Sequence, residues 1–324
     1  MHTLIKNILI LSLCCIAAWL SSCSVTNKKP LPQESEKTVI QEGAGKDLDN
    51  AYKNKHISDK LKQTIEIEPE DADTGKRLAS VHSESGKNQE TVEALKQTIR
   101  INPRDARAHA HLGDIYLHMH MYQDAVDSLT QAIKLSPGDA NALYNLGLAY
   151  DQLGMFQEAV AAFSEATKIT PRDEKDYVGL GLAYGKSGMH LEALVAFTQA
   201  IKLNPQDMRA HVGLGFAYAN LGEYEDAVDS FDEAIKITPE DAEDYYMRGL
   251  AYSELGRYEE AVDAFRRALS LEPAHAKAHY ALAQAYISLN DKDAALNEYD
   301  ILKDLDPQLS NDLFTAINEL NSIF

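Results

Sequence analysis

Four consecutive residues, His118, Met119, His120 and Met121, offer imidazole and thioether donors, a combination that suits a soft metal such as copper. Helical geometry works against a shared ion: His118 and His120 lie about 200° apart around a helix, and His111 is about 10 Å from His118 along it. A frayed turn would still let His120 and Met121 meet, so copper handling stands as an alternative to a solvated turn with two ordinary methionines. Two glycine-rich runs, "GLGLAYG" from Gly179 to Gly185 and "GLGFAYANLG" from Gly213 to Gly222, mimic phosphate-binding loops. Both fall inside expected helices with no strand ahead of them, whereas the dinucleotide fingerprint requires a strand before the loop. The segment "EYEDAVDSFDE" from Glu223 to Glu233 gathers carboxylates, yet it lacks the ligand spacing of a calcium-binding loop. Its acids flank Ala227 and Phe231, as the solvated face of a helix does. No nucleophile stands beside a base, so the chain is expected to be no enzyme and to use no metal or cofactor.

The elements that carry these residues recur with a single period. Of the ten prolines, eight fall at 69, 103, 137, 171, 205, 239, 273 and 307, each interval being 34 residues. Between them one pattern repeats, clearest from Ala140 to Asp173: "ANALYNLGLAYDQLGMFQEAVAAFSEATKITPRD". Leu143, Leu146, Gly147 and Tyr150 follow helical spacing, Gly154 breaks it, and Ala159, Phe163 and Ala166 resume it, which predicts two helices and a turn. Small residues at 147, 159 and 166 let the helices approach, the larger Leu146, Tyr150 and Phe163 fill the space between, and Pro171 ends the second helix. A unit of this size cannot bury its own apolar face, so units must stack.

These residues resemble the tetratricopeptide repeat, whose signature is a bulky residue, then Leu-Gly, Tyr, Gly, Ala, Phe, Ala and Pro. The resemblance implies an all-α fold: a right-handed α-solenoid of about seven helix-turn-helix repeats over residues 72–309, starting at Ala72, Ala106, Ala140, Glu174, Met208, Ala242 and Ala276. A half repeat over 56–71 precedes them, because "LKQTIEIEPED" from Leu61 echoes "LKQTIRINPRD" from Leu95. A capping helix over 310–324 follows, with Leu313, Phe314, Ile317 and Leu320 on one stripe. Gly75, Ala79, Thr91 and Thr98 in the first repeat, and Ala283, Asn290 and Leu302 in the last, depart from the signature as terminal caps do. In this register His120 stands where other repeats have Gly154, Gly188, Gly222 and Gly256. His109, His211 and His279 take the bulky position of Leu143, Tyr177 and Tyr245, which makes them packing residues.

Ahead of the repeats, Ile8 to Leu20 is an apolar run of 13 residues, long enough for a signal peptide. As a helix it rises only about 20 Å, short of a membrane span. Leu20-Ser21-Ser22-Cys23 resembles the bacterial lipobox, which implies that residues 1–22 are cleaved and Cys23 is acylated; an ordinary secretory signal is the alternative. Two or three acyl chains would give a durable membrane anchor. Ser24 is not the Asp associated with inner-membrane retention, which favours the periplasmic face of the outer membrane. Residues 23–55, with Pro30, Pro32, Gly43 and Gly45, read as a flexible linker. The three cysteines are Cys14, Cys15 and Cys23, so neither a disulfide nor a thiolate site is available downstream.

With 31 basic and 50 acidic residues the chain carries a net charge of −19, which opposes any broad attraction to nucleic acid. In tetratricopeptide arrays the first helices line a concave groove, and their second, fifth and ninth positions are among those that face a bound peptide. The resemblance thus implies a peptide-binding groove of Tyr144, Leu148, Val178, Leu182, Val212, Phe216, Tyr246, Leu250 and Tyr280, with Arg107, Lys175, Arg209 and Lys277 supplying positive charge. A row of exposed apolar side chains points to a partner; packing of the fifth positions against neighbouring repeats is the alternative. The Lys and Asn of the carboxylate clamp are missing, since only Lys76, beside Ser80, fits it. The expected function is that of a membrane-anchored adaptor that binds a protein or peptide and assists assembly of an envelope complex. Lipoproteins of this build resemble pilus-biogenesis pilotins and envelope adaptors. A structural lipoprotein that self-associates through its terminal faces is the competing reading.

Overall fold

The computed structural model of the chain describes residues 88–321. The leader, Cys23, the 23–55 linker, the half repeat 56–71 and the first helix of the opening repeat lie outside the described residues. Among the described residues there are helices and turns, with no strand. They divide into two compact units between Met155 and Phe156, inside the repeat that begins at Ala140. The first unit contains α1 (Asn88–Ile101), α2 (Ala106–His118), α3 (Tyr122–Leu135) and α4 (Ala140–Gln152). The second contains α5 (Phe156–Ile169), α6 (Glu174–Lys186), α7 (His190–Leu203), α8 (Met208–Leu221) and α9 (Tyr224–Ile237), then α10 (Ala242–Glu254), α11 (Tyr258–Leu271), α12 (Ala276–Ser288), α13 (Lys292–Leu305) and α14 (Pro307–Asn321). Within each unit every helix packs on the next, and first helices of successive repeats also touch, as α2 does α4 and α6 does α8. The fold is an all-α tetratricopeptide-type solenoid.

Local sequence sets the helix ends. Each Pro-x-Asp places an aspartate at the N-cap: Asp105 and Asp139 accept the amides of Ala108 and Ala142 at 3.0 Å, and Asp207 and Asp241 accept those of Arg209 and Glu243 at 3.0 and 2.9 Å. The repeat at Ala276 has His275 instead, whose Nδ1 accepts the Ala278 amide at 3.2 Å. First helices end in a left-handed residue, Gly154, Gly188, Gly222 or Gly256 at φ between 72° and 84°. His120 and Asn290 adopt the same conformation at 58° and 61° despite their side chains.

From the repeat at Ala140 to the repeat at Ala242 the core holds one aromatic per repeat, seated against glycine. A Cβ on Gly181 would lie 2.8 Å from the Phe197 ring, and one on Gly213 of the next repeat 2.4 Å from the same ring. Phe197 therefore occupies a slot that only two bare backbones leave open. Gly215 with Phe231 and Gly249 with Phe265 repeat the arrangement at 2.7 and 2.5 Å. In the first unit Leu129 replaces the aromatic, against Gly113.

The closing helix begins at Pro307 rather than at Ser310, because Asp306 caps it by accepting the Gln308 and Leu309 amides at 3.0 Å and proline suits the first helical position. Leu313 and Ile317 are buried, one turn apart on the same side. Phe314 departs from the expected stripe: it is 48% exposed and its ring lies 5.5 Å from that of Tyr299. One residue of helix turns the chain by about 100°, which carries it off the buried line.

Candidate functional site

The first helices of the second unit present their inner positions in register. Val178, Val212, Tyr246 and Tyr280, at the fifth positions of α6, α8, α10 and α12, are buried, none more than 6% exposed. Val178 belongs to the apolar cluster of Ala193, Phe197, Ala200, Ala210 and Ala217. Tyr246 packs its ring 5.9 Å from Phe265 and 5.0 Å from His275. Burial raises the phenol of Tyr280 above its usual value. These four side chains hold neighbouring helices together.

The ninth positions differ. Leu182, Phe216 and Leu250 are half-buried, each leaving part of its apolar surface to solvent. Leu182 leans on the Val178 cluster, and Phe216 meets Phe231 edge-on at 5.5 Å. Leu182 and Phe216 are thus partly held by the core while keeping some apolar surface exposed. Among the cations of this unit, Lys175 and Arg209 are exposed and Lys277 is half-buried. Lys175 pairs with Asp173 at 3.2 Å, and Arg209 engages Asp207 through two nitrogens at 2.9 and 3.2 Å. In both cases the N-cap carboxylate two residues upstream partly neutralises the charge. Within the first unit, Tyr144 and Leu148 on α4 are half-buried and Arg107 on α2 is exposed, with Asn145 donating to Asp114 at 3.2 Å.

Three features went unseen in the sequence. The bulky fourth position is a polar strap as well as a packing residue: Nε2 of His109, His211 and His279 lies 3.2, 2.9 and 3.0 Å from the carbonyls of Pro103, Pro205 and Pro273. The hydroxyls of Tyr177 and Tyr245 reach Pro171 and Pro239 in the same way, at 3.5 and 3.3 Å. His211 and His279 are buried, whereas His109 is only half-buried. Second, Asp176 and Asp244 occupy a third position that holds alanine in the neighbouring repeats. Burial raises both carboxyls, Asp244 to about 7 with help from the Asp241 charge. Asp176 accepts from the Thr170 hydroxyl at 2.5 Å, while Oδ1 of Asp244 is buried without a partner. Third, Arg248 replaces the signature leucine, pairs with Asp232 at 2.6 Å and stacks on Tyr245.

The His/Met run forms the end of α2 and the turn after it. Nδ1 of His118 lies 2.8 Å from the Asp114 carbonyl, and Nδ1 of His120 lies 2.8 Å from the Tyr122 hydroxyl. Among the described residues no three of His, Cys, Asp and Glu gather as metal ligands. Among them, too, no helix is long and apolar enough to cross a membrane.

Comparison with known proteins places this geometry. The family model described as the cilia and flagella-associated protein 70 C-terminal domain matches residues 49–248, and a tetratricopeptide repeat model matches 246–310. No curated protein matches the sequence significantly. Among solved structures, YrrB, described as a protein of this repeat type with an unusual peptide-binding site, is 25% identical over 59% of this chain and 98% of its own, with a TM-score of 0.52. A tetratricopeptide repeat protein from Parabacteroides merdae is 19% identical over 75% of this chain and 98% of its own, at a TM-score of 0.56. Pseudomonas aeruginosa pilF is 19% identical over 66% and 99%, also at 0.56.

Proposed function

The chain belongs to the family of the cilia and flagella-associated protein 70 C-terminal domain, a tetratricopeptide-repeat array, and from that premise we propose that it is a non-enzymatic adaptor binding an extended protein segment. The segment lies along the first helices of the second unit. The observation that carries this reading is the row of Leu182, Phe216 and Leu250, three apolar side chains at one register position, each half-buried and leaving apolar surface to solvent. Their partner is a segment with apolar side chains spaced to meet successive repeats, and Lys277 favours an acidic residue beside them. The peptide-binding site ascribed to YrrB supports this choice of ligand. The adaptor is anchored through an acylated Cys23 at the periplasmic face of a bacterial outer membrane and assists assembly of an envelope complex. The Leu20-Ser21-Ser22-Cys23 ending of the apolar run supports that placement.

Selection from a displayed library of random peptides tests the binding mode. Peptides retained by the wild-type chain and lost on Phe216→Asp are expected to share an apolar motif with flanking acids. Equal retention by both proteins, or no enrichment, overturns the reading.

A further inference from the structure

The second helices of successive repeats turn one side to solvent, and α7 differs from the others there. It carries Leu191 and Val195, which are 65% and 72% exposed. The same two positions hold Gln157 and Ala161 on α5, Glu225 and Asp229 on α9, Glu259 and Asp263 on α11, and Asp293 and Asn297 on α13. The fold therefore does not need branched apolar side chains at these sites, and leaving them in water gains nothing. Beside Val195 lies a cavity of about 560 Å³ lined by Tyr177, Leu180, Tyr184 and Val195 together with Glu192 and Lys202, so apolar surface continues inward from Val195 between the two charges.

At the charged positions α7 matches α3, where Gln131 and Lys134 stand as Gln199 and Lys202 do, and departs from α5 and α9. Lys168 on α5 pairs with Glu165, and Lys236 on α9 pairs with Glu233 at 2.5 Å, each three residues back. On α7 the corresponding acid is Gln199, and Lys202 has no carboxylate partner among the described residues. Glu192, near the other end of the helix, likewise has no basic partner among them.

We propose that this side of α7 is a self-association surface, on which α7 of a second copy lies antiparallel about a two-fold axis. Glu192 and Lys202 stand five residues to either side of Phe197. An antiparallel pair centred there sets Glu192 of each copy against Lys202 of the other, so both ion pairs form together. Leu191 and Val195 of each copy are covered by the same contact. Charge complementarity selects a second copy as the occupant: one helix supplies both halves of each ion pair, which is what an isologous interface requires. A single helix pair buries less than the roughly 1,200 Å² of stable complexes, so the dimer is weak and reversible.

Sedimentation equilibrium of the full chain tests this, with all variants in one nonionic detergent so that residues 8–20 contribute equally. The wild type is expected to dimerise reversibly, with a dissociation constant on the order of 10 to 100 µM. Val195→Glu weakens it more than about tenfold, through buried charge and lost apolar cover. Glu192→Lys and Lys202→Glu each weaken it about three- to tenfold, and the double exchange recovers wild-type affinity to within about twofold. All three substitutions are at the surface, so thermal melting of the four variants is expected to stay within a few degrees of wild type. A chain that remains monomeric at about 200 µM overturns the proposal. So does a dimer indifferent to Val195→Glu, or a double exchange that fails to recover affinity.

Discussion

Glu298 on α13 places Oε2 2.6 Å from Nδ1 of His279 on α12, while Nε2 of the same ring lies 3.0 Å from the Pro273 carbonyl. Both neighbours accept, so both contacts are satisfied only when each ring nitrogen carries hydrogen, which favours the cationic imidazole. Glu298 raises His279 above its usual 6.5, outweighing the burial that lowers it. A raised folded-state value means the pair stabilises fully below pH 6.5 and loses that contribution as pH rises through the raised value. Glu298→Gln is expected to cost about 1 to 3 kcal/mol at pH 6 and progressively less above neutrality. Denaturant titrations of both proteins at several pH values check this; a pH-independent difference speaks against the cationic ring.

Asp244 gives a second pH effect, with a different remedy. Its carboxyl is raised from 3.8 to about 7 by burial, so the folded chain loses stability as pH climbs from about 4 to 7. Asp244→Asn removes the cost of ionising in a buried place, and is expected to be the more stable protein at pH 8, by about 2 to 4 kcal/mol, with a flatter profile. Melting curves across that range decide it, and a variant less stable than wild type at pH 8 contradicts the assignment.

Two glycines in the second unit separate close packing from open space. A Cβ at Gly213 meets Phe197 at 2.4 Å, whereas one at Gly185 meets nothing within 4 Å. Gly213→Ala is expected to destabilise by about 2 kcal/mol or more, and Gly185→Ala to stabilise by about 0.5 to 1 kcal/mol through helix propensity. Chemical denaturation of the two variants should move the midpoint in opposite directions.

The period of the prolines and the small-large alternation at Gly147, Ala159 and Phe163 made the helix pairs legible, because stacking physics repeats the same demand every 34 residues. What escaped the sequence was what a residue type does once it is placed. His279 read as a packing residue since the position is bulky elsewhere, yet the carbonyl it reaches comes from the turn and the carboxylate from a second helix. The row expected at fifth and ninth positions resolves into two roles, with Val178, Val212, Tyr246 and Tyr280 in the core and Leu182, Phe216 and Leu250 half-open. Helical spacing alone does not tell how deeply the next repeat covers a residue. Leu191 and Val195 were legible after all: comparing one position across the repeats marks α7 as different.

His120 adopts a left-handed backbone at φ 58° where Gly154, Gly188, Gly222 and Gly256 serve in other repeats. His120→Gly is expected to stabilise by about 0.5 to 1 kcal/mol, the relieved strain exceeding the lost contact with Tyr122. A lower melting temperature for the variant would show that the His120–Tyr122 hydrogen bond outweighs the strain.

The first-helix face around Phe216 is proposed to receive a partner segment, and site-specific photo-crosslinking in cells reads out that contact. A diazirine side chain at Phe216 is expected to capture one discrete protein through one mapped segment. The same probe at exposed Asp229 on α9 should not capture it, and Leu182→Asp or Leu250→Asp should abolish the adduct at Phe216. The absence of an adduct at Phe216, or the same adducts from both probes, would contradict the account.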